Sequence, residues 1–190
     1  MLGIIDTSSL IAITRYYTPI KDETPLLRQI ETWFRSREII YLSKISEETE
    51  NTQKGIATKR MEFLKERELI YDDSDLLPPA PQKFSNLLDN NLNITIQKKR
   101  LTAEQFSEQK KEYMSTGDAK LIIYALNNMD KDPIIITEET AYSNDSKLFK
   151  KIPAICDFLG IKHQTIAEWI ASKGITVKWA VDSTGAKCDA

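Results

Sequence analysis

Acidic residues stand at four places in the sequence where a predicted strand ends or a predicted helix begins. They are Asp6, the neighbours Glu47 and Glu48, Asp118, and the neighbours Glu138 and Glu139. Each position alone has an ordinary explanation, because Asp is a good helix cap and carboxylates suit the N-terminal end of a helix dipole. The recurrence of the pattern on successive elements indicates a shared site.

These carboxylates are expected to meet at one edge of a sheet. The carboxyl ends of parallel strands lie at the same edge, where open α/β sheets bind their ligands. Carboxylates crowded into one pocket raise each other's pKa unless a cation neutralises them. Oxygen ligands without His or Cys favour Mg²⁺ or Mn²⁺, and two such ions about 4 Å apart promote phosphodiester cleavage. The pattern therefore predicts a divalent metal site with nuclease chemistry.

The composition limits the other chemistry that the chain can perform. Its 190 residues include 26 Lys and Arg against 28 Asp and Glu, and the net charge of −2 excludes binding of nucleic acid through bulk positive charge. One histidine (His163) and two cysteines (Cys156 and Cys188) are too few for a four-ligand Cys/His zinc site. A sole histidine also argues against a Ser–His–Asp triad. Catalysis would have to use carboxylates.

Alternating strands and helices position these residues. Apolar runs predict strands at Leu2–Ile5, Ile39–Leu42, 133–137 and 161–164. Helices are predicted at about 7–17, 24–34, 45–70 with a break at Gly55, 102–113, 116–126, 151–159 and 165–174. This alternation favours an α/β fold with a mostly parallel sheet covered on both faces. We expect one domain at 1–175 with a helical insertion at about 72–115, followed by a polar C-terminal tail at 176–190.

Two motifs in the first third of the chain resemble those of the PIN-domain ribonucleases. Residues 4–10, with the sequence IIDTSSL, are similar to the family's first strand, which ends in Asp-x-Ser or Asp-x-Asn. Residues 45–48 resemble its apolar-x-x-Glu helix start, and this alignment selects Glu48 over Glu47.

Two further motifs follow in the family's order. Residues 117–122 resemble its third acidic position, an Asp that opens an apolar helix, which here is Asp118. Residues 135–139 resemble its strand ending in Thr-x-Asp, so that Glu139 takes the fourth position with a longer side chain, and Glu138 is the substitute. The ordered resemblance extends from residue 2 to about residue 173.

The resemblance implies a fold, an activity and partners. PIN domains are three-layer α/β/α sandwiches with a parallel sheet, and many are toxins of toxin–antitoxin pairs that cut RNA with Mg²⁺ or Mn²⁺. By this resemblance the catalytic and metal-binding residues are Asp6, Glu48, Asp118 and Glu139. An RNA substrate and a cognate antitoxin protein are then the expected partners.

Two hydroxyl residues and several basic ones are candidates for supporting roles. Ser8 and Thr137 are expected to hydrogen-bond a metal-binding carboxylate, although Ser8 equally suits a capping role for the first helix. Candidate RNA-binding residues are Arg15, Lys98, Lys99 and Arg100, with a solvated surface as the alternative for such basic runs.

The bulky side chains at Trp33, Phe34 and Trp169 suit a core, with a homodimer face as the alternative. The N-terminus has neither the basic start nor the apolar run of a signal peptide, and no apolar stretch is long enough for a membrane span. We therefore expect a cytoplasmic protein without membrane contact.

Two other enzyme classes and one binding class are alternatives to a nuclease. A haloacid-dehalogenase-type phosphatase needs a second Asp two residues after Asp6, where this chain has Ser8. A P-loop enzyme needs a phosphate-binding glycine loop, and the sequence has none. The stronger alternative is a PIN-like module that binds RNA or protein without cutting it, since Glu139 departs from the usual Asp.

Overall fold

The computed structural model describes residues 1–17, 24–141 and 147–176. Nearly all of the predicted tail at 176–190, including Cys188, lies outside these residues. Within them, the chain forms a three-layer α/β/α sandwich around a five-stranded, wholly parallel sheet. The predicted fold class is confirmed.

The strands are β1 (Leu2–Ile5), β2 (Ile39–Leu42), β3 (Ile70–Tyr71), β4 (Pro133–Ile136) and β5 (Lys162–Gln164). Their spatial order is β3-β2-β1-β4-β5, so the chain builds outward on one side of β1 and then crosses to the other side at β4. Ile5 on β1 pairs with Ile136 on β4. In open parallel sheets such a reversal of strand order opens a crevice at the carboxyl ends of the two strands. Asp6 lies directly after one of these strands and Thr137 directly after the other.

The α-helices are α1 (Thr7–Ala12), α2 (Thr24–Arg35), α3 (Ser43–Asn51), α4 (Ile56–Arg60), α5 (Pro81–Asn90), α6 (Thr95–Lys98), α7 (Ala103–Tyr113), α8 (Gly117–Asn127), α9 (Ile152–Leu159) and α10 (Ile166–Ser172). A π-helix over Ile13–Tyr17 continues α1. Helices α5, α6 and α7 occupy the predicted insertion at about 72–115. In that part of the chain that the structure describes, no helix is long and apolar enough to cross a membrane.

Helices α2 and α10 meet in the core. Trp33 of α2 and Trp169 of α10 are nearly fully buried and meet edge to face, with ring centroids 6.1 Å apart. A Cβ atom at Gly3 would lie 2.9 Å from Trp169 Cη2 and 2.9 Å from Ile136 Cδ1, so only glycine lets the indole approach β1 this closely. These tryptophans therefore belong to the core and not to an exposed dimer face.

The single helix predicted at 45–70 is wrong beyond Asn51. Gln53, Lys54 and Gly55 all have positive φ angles, of 50°, 58° and 68°, which end α3 and redirect the chain into the short helix α4. Two 3₁₀ turns follow, and the segment ends in the unpredicted strand β3, where Ile70 pairs with Tyr41 of β2. The break predicted at Gly55 is confirmed, but it lies in a longer interruption.

Candidate functional site

Asp6 lies at the carboxyl end of β1, and its backbone N–H donates to Ile136 O at 2.9 Å across to β4. Its side chain is only 6% exposed. Carboxylate oxygen Oδ2 accepts hydrogen bonds from the hydroxyls of Ser8, at 2.5 Å, and Thr137, at 2.8 Å. Burial raises the pKa of Asp6, and the two hydroxyl donors partly oppose the rise. The carboxylate is thus held in a fixed orientation by residues on both sides of the crevice.

The hydroxyls of Ser8 and Thr137 also fix the loop that follows β4. Their oxygen atoms lie 3.2 Å apart, within hydrogen-bond distance. Ser8 Oγ accepts the backbone N–H of Glu138 at 3.0 Å, and Thr137 Oγ1 accepts that of Glu139 at 3.1 Å. Both residues predicted to support Asp6 therefore contact it, and Ser8 makes these contacts in place of a capping bond to α1.

Glu48 reaches the start of α8 from its position on α3. Its Oε1 accepts the backbone N–H of Gly117 at 2.9 Å, which is one of the N–H groups that a helix leaves unpaired at its first turn. Glu47 points away, since it is exposed and forms an ion pair with Lys44 at 2.9 Å. Glu48, and not its neighbour, therefore lies beside Asp118.

Asp118 has a strongly raised pKa. Burial first, and then the negative charges of Glu139, Asp6 and Glu48, raise its pKa from 3.8 to about 7. Lys147 acts in the opposite direction on Asp118. In the described part of the chain no Lys or Arg forms an ion pair with Asp118, so its charge is compensated only at a distance.

The two glutamates after β4 have separate environments. Glu139 forms a largely buried ion pair with Lys151 at 2.8 Å and accepts the backbone N–H of Ile152, the first residue of α9, at 3.3 Å. Glu138 accepts the backbone N–H of Ile166 at 2.8 Å and the Ser9 hydroxyl at 3.2 Å. Glu138 thereby caps α10, whereas Glu139 is the one whose charge acts on Asp6 and Asp118.

The four candidate carboxylates therefore share one edge of the sheet and act on one another electrostatically. The charge of Asp6 also raises the pKa of Glu48, after the larger effect of burial. Across residues 1–17, 24–141 and 147–176, however, no three His, Cys, Asp or Glu side chains form a group that could hold a metal ion. One of the four, Glu139, is engaged by Lys151. The all-oxygen donors suit Mg²⁺ or Mn²⁺ in their chemistry, and a metal centre here stays a prediction.

Asp73 is a supporting residue that the sequence did not indicate, because it lies in a Pro-rich connection after β3. It is 4% exposed, and its Oδ2 accepts the backbone N–H of Lys44 in the first turn of α3 at 2.9 Å. Its carbonyl oxygen accepts a hydrogen bond from Lys120 on α8. One residue thus ties together the helices that carry Glu48 and Asp118.

Of the four predicted RNA-binding residues, Lys98 packs against the insertion and the other three are exposed. Lys98 donates to the carbonyl of Asp89 and lies over the Phe106 ring at 4.6 Å, so it supports the helical insertion. Arg100 contacts the Gln97 side chain at 3.4 Å and is exposed. Lys99 and Arg15 are also exposed. No contact of these four with the carboxylate edge is seen among the described residues.

The fold and this edge define a parallel α/β/α protein with an electrostatically coupled acidic cluster at the crossover of its sheet. The profile of the domain of unknown function DUF4411 matches residues 4–177, and the chain belongs to this family. No curated protein matches the sequence.

Proposed function

We propose that this protein is a metal-dependent endoribonuclease of PIN-like type that hydrolyses RNA phosphodiester bonds at its carboxylate edge. The supporting observation is the position of Asp6, Glu48 and Asp118 at one edge of the sheet, where Ser8 and Thr137 hold the Asp6 carboxylate and the N–H of Gly117 holds that of Glu48. Burial together with Glu139, Asp6 and Glu48 also raises the pKa of Asp118. Clustered carboxylates repel one another, and a bound divalent cation relieves this repulsion. The position at the crossover between β1 and β4 is where parallel sheets place their sites.

Asp6, Glu48 and Asp118 would hold Mg²⁺ or Mn²⁺, with Glu139 as the fourth carboxylate. When bound, such an ion makes water a stronger nucleophile and neutralises charge on the leaving oxygen. Ser8 and Thr137 orient the Asp6 carboxylate, and the N–H of Gly117 orients Glu48. These contacts fix the direction of each carboxylate before any ligand arrives, which is how supporting residues tune metal sites.

A cleavage assay tests this proposal. Wild-type protein with Mn²⁺ is expected to cut single-stranded RNA, and Asp6→Asn and Asp118→Asn are expected to abolish cutting. Glu47→Gln is the matched control, because Glu47 is exposed and turned toward Lys44. Cleavage that survives in Asp6→Asn would indicate a contaminating nuclease, and wild-type protein without Mn²⁺-dependent cleavage would contradict the proposal.

The resemblance to PIN toxins extends the proposal to a cellular role, the toxin of a toxin–antitoxin pair with a cognate antitoxin as partner. Induced expression of the wild-type chain is then expected to arrest bacterial growth, and Asp6→Asn is expected to relieve the arrest. Equal growth with both chains, at equal protein levels, would contradict the toxin role while leaving the nuclease activity to the cleavage assay.

A second function, a PIN-like module that binds RNA or protein without cutting, is favoured by one contact. Glu139, the fourth carboxylate, already forms an ion pair with Lys151, and this pair competes with metal binding. In this case wild-type protein and Asp6→Asn would bind RNA equally, and neither would cut it.

A further inference from the structure

A cleft of about 290 Å³ opens beside Asp118. The C-terminal end of α7 and the N-terminal end of α8 form one wall, and residues 147–150 form the other. Its polar lining consists of Gln109, Glu112, Thr116, Asp118, Lys147 and Lys150. Lys147 is exposed and acts electrostatically on both Asp118 and Glu48. The cleft therefore joins the carboxylate edge to two cationic side chains.

Lys150 also lines a second cleft, of about 460 Å³. Between them the insertion is pinned to the body by a β-bridge from Asn93 to Phe149 and by the bond from Lys150 N to Leu92 O at 2.9 Å. These contacts hold the Lys150 backbone between the two clefts, which together we call the insertion groove.

The second cleft differs in chemistry from the first. Its polar lining is Asn90, Asn91, Asn93, Thr95 and Lys150, and the lining residues that the structure describes include no carboxylate. Two large apolar side chains on its rim are strongly exposed, Ile96 at 67% and Phe158 at 48%. Asn90 and Asn91 are exposed, so their amides can contact base edges, whereas Asn93 is buried and donates to Leu88 O. Such amides, an aromatic ring on which a base can stack and a cation for phosphate are the features that bind unpaired nucleotides.

We propose that the insertion groove binds single-stranded RNA, with the reacting phosphate at Asp118 and the adjoining nucleotides in the second cleft. Lys147 and Lys150 contact the backbone, and Phe158 stacks on a base. Single strands are favoured over duplexes because only unpaired bases can turn toward Phe158 and the asparagine amides. This inference rests on the proposed ribonuclease function and assigns its specificity to the insertion.

RNA binding by Asp6→Asn, measured by fluorescence anisotropy over a salt series, tests the inference without cleavage. The probe is an end-labelled, unstructured RNA of about 12 nucleotides, with a hairpin duplex as comparison. Affinity falls as the salt concentration rises, and Lys150→Gln in this background is expected to make the slope of log affinity against log salt less negative by about 0.7. Phe158→Ala is expected to weaken binding about tenfold at constant salt.

Lys131→Gln and Met129→Ala are the matched controls, because both residues lie in the exposed turn before β4, at the opposite edge of the sheet. Binding by Lys150→Gln and Phe158→Ala that equals the controls overturns the inference, even where wild-type protein cuts RNA. Loss of binding in these two variants supports it, even where wild-type protein does not cut. Absence of RNA binding by Asp6→Asn also overturns it.

Discussion

The N–H of Gly117 donates to Glu48 Oε1 at 2.9 Å, and this bond joins the first residue of α8 to the middle of α3. The approach is so close that a Cβ atom at position 117 would lie 2.6 Å from Glu48 Oε2 and 2.6 Å from Ile45 Cδ1. A side chain at position 117 would therefore force Glu48 and Ile45 to shift, although the backbone there is not left-handed. The same contact places Asp118 beside Glu48.

Gly117→Ala is expected to destabilise the protein and to reduce any Mn²⁺-dependent cleavage. Forcing a methyl group into a packed site costs about 1–3 kcal/mol, which exceeds the gain of at most about 1 kcal/mol in helix propensity. Urea unfolding measures the stability, and the exposed Ser115→Ala is the control. A Gly117→Ala protein as stable and active as the control would show that Glu48 can move away without consequence.

The metal-free protein is expected to become more stable as the pH falls from 8 to 5. The folded-state pKa of Asp118, about 7, lies above its ordinary value of 3.8. The folded state therefore binds the proton more tightly, and the stability from this group is full below pH 4 and is lost as the pH rises toward 7. The effect is at most about 2.5 kcal/mol between pH 5 and pH 8.

Chemical unfolding in the presence of a chelator at both pH values measures this effect. Asp118→Asn cannot titrate, so we expect it to be more stable than wild-type protein at pH 8 and to show a smaller gain on acidification. An identical pH dependence in the two proteins would mean that Asp118 is not the perturbed group.

The sheet was largely predictable from the sequence because four of its strands are apolar runs bounded by polar residues. β3 was missed since it has only two residues, Ile70 and Tyr71, and is defined by its pairing with Tyr41 and Leu42 of β2. Local patterns do not contain such a pairing. The overlong helix at 45–70 has the same origin, because apolar residues at helical spacing there pack in short turns against the core.

Only those parts of the candidate site that lie at the ends of neighbouring parallel strands were predictable from the sequence. Asp6 and Glu139 follow neighbouring strands, so their proximity is a consequence of topology. The ion pair of Glu139 with Lys151 and the cap that Asp73 places on α3 join residues 12 and 29 positions apart in sequence. Such contacts depend on the paths of two loops, and no spacing rule predicts them.

Lys151→Gln is expected to lower the stability of the metal-free protein by about 1–3 kcal/mol, because it leaves Glu139 without its partner in a largely buried place near two other carboxylates. If Glu139 is the fourth metal ligand, the freed carboxylate binds Mn²⁺ more tightly, and Mn²⁺ then raises the melting temperature of the variant more than that of wild-type protein.

Thermal unfolding with and without Mn²⁺ measures both effects. Lys162→Gln is the control, since its ion pair with Asp132 is exposed and such pairs contribute less than about 1 kcal/mol. An equal Mn²⁺ shift in wild-type protein and Lys151→Gln would remove Glu139 from the ligand set and leave Asp6, Glu48 and Asp118.

Asp73→Ala is expected to destabilise the protein by about 1–2 kcal/mol, the usual cost of removing a helix cap. Its Oδ2 accepts the N–H of Lys44 at 2.9 Å, and α3 has no side-chain cap of its own. Because α3 carries Glu48, cleavage is expected to fall as well.

Asp73→Asn keeps an acceptor oxygen and is expected to restore most of the stability and most of the cleavage. Asp75→Ala, in the same loop but exposed, is the control. Unchanged stability and cleavage in Asp73→Ala would mean that packing alone positions α3.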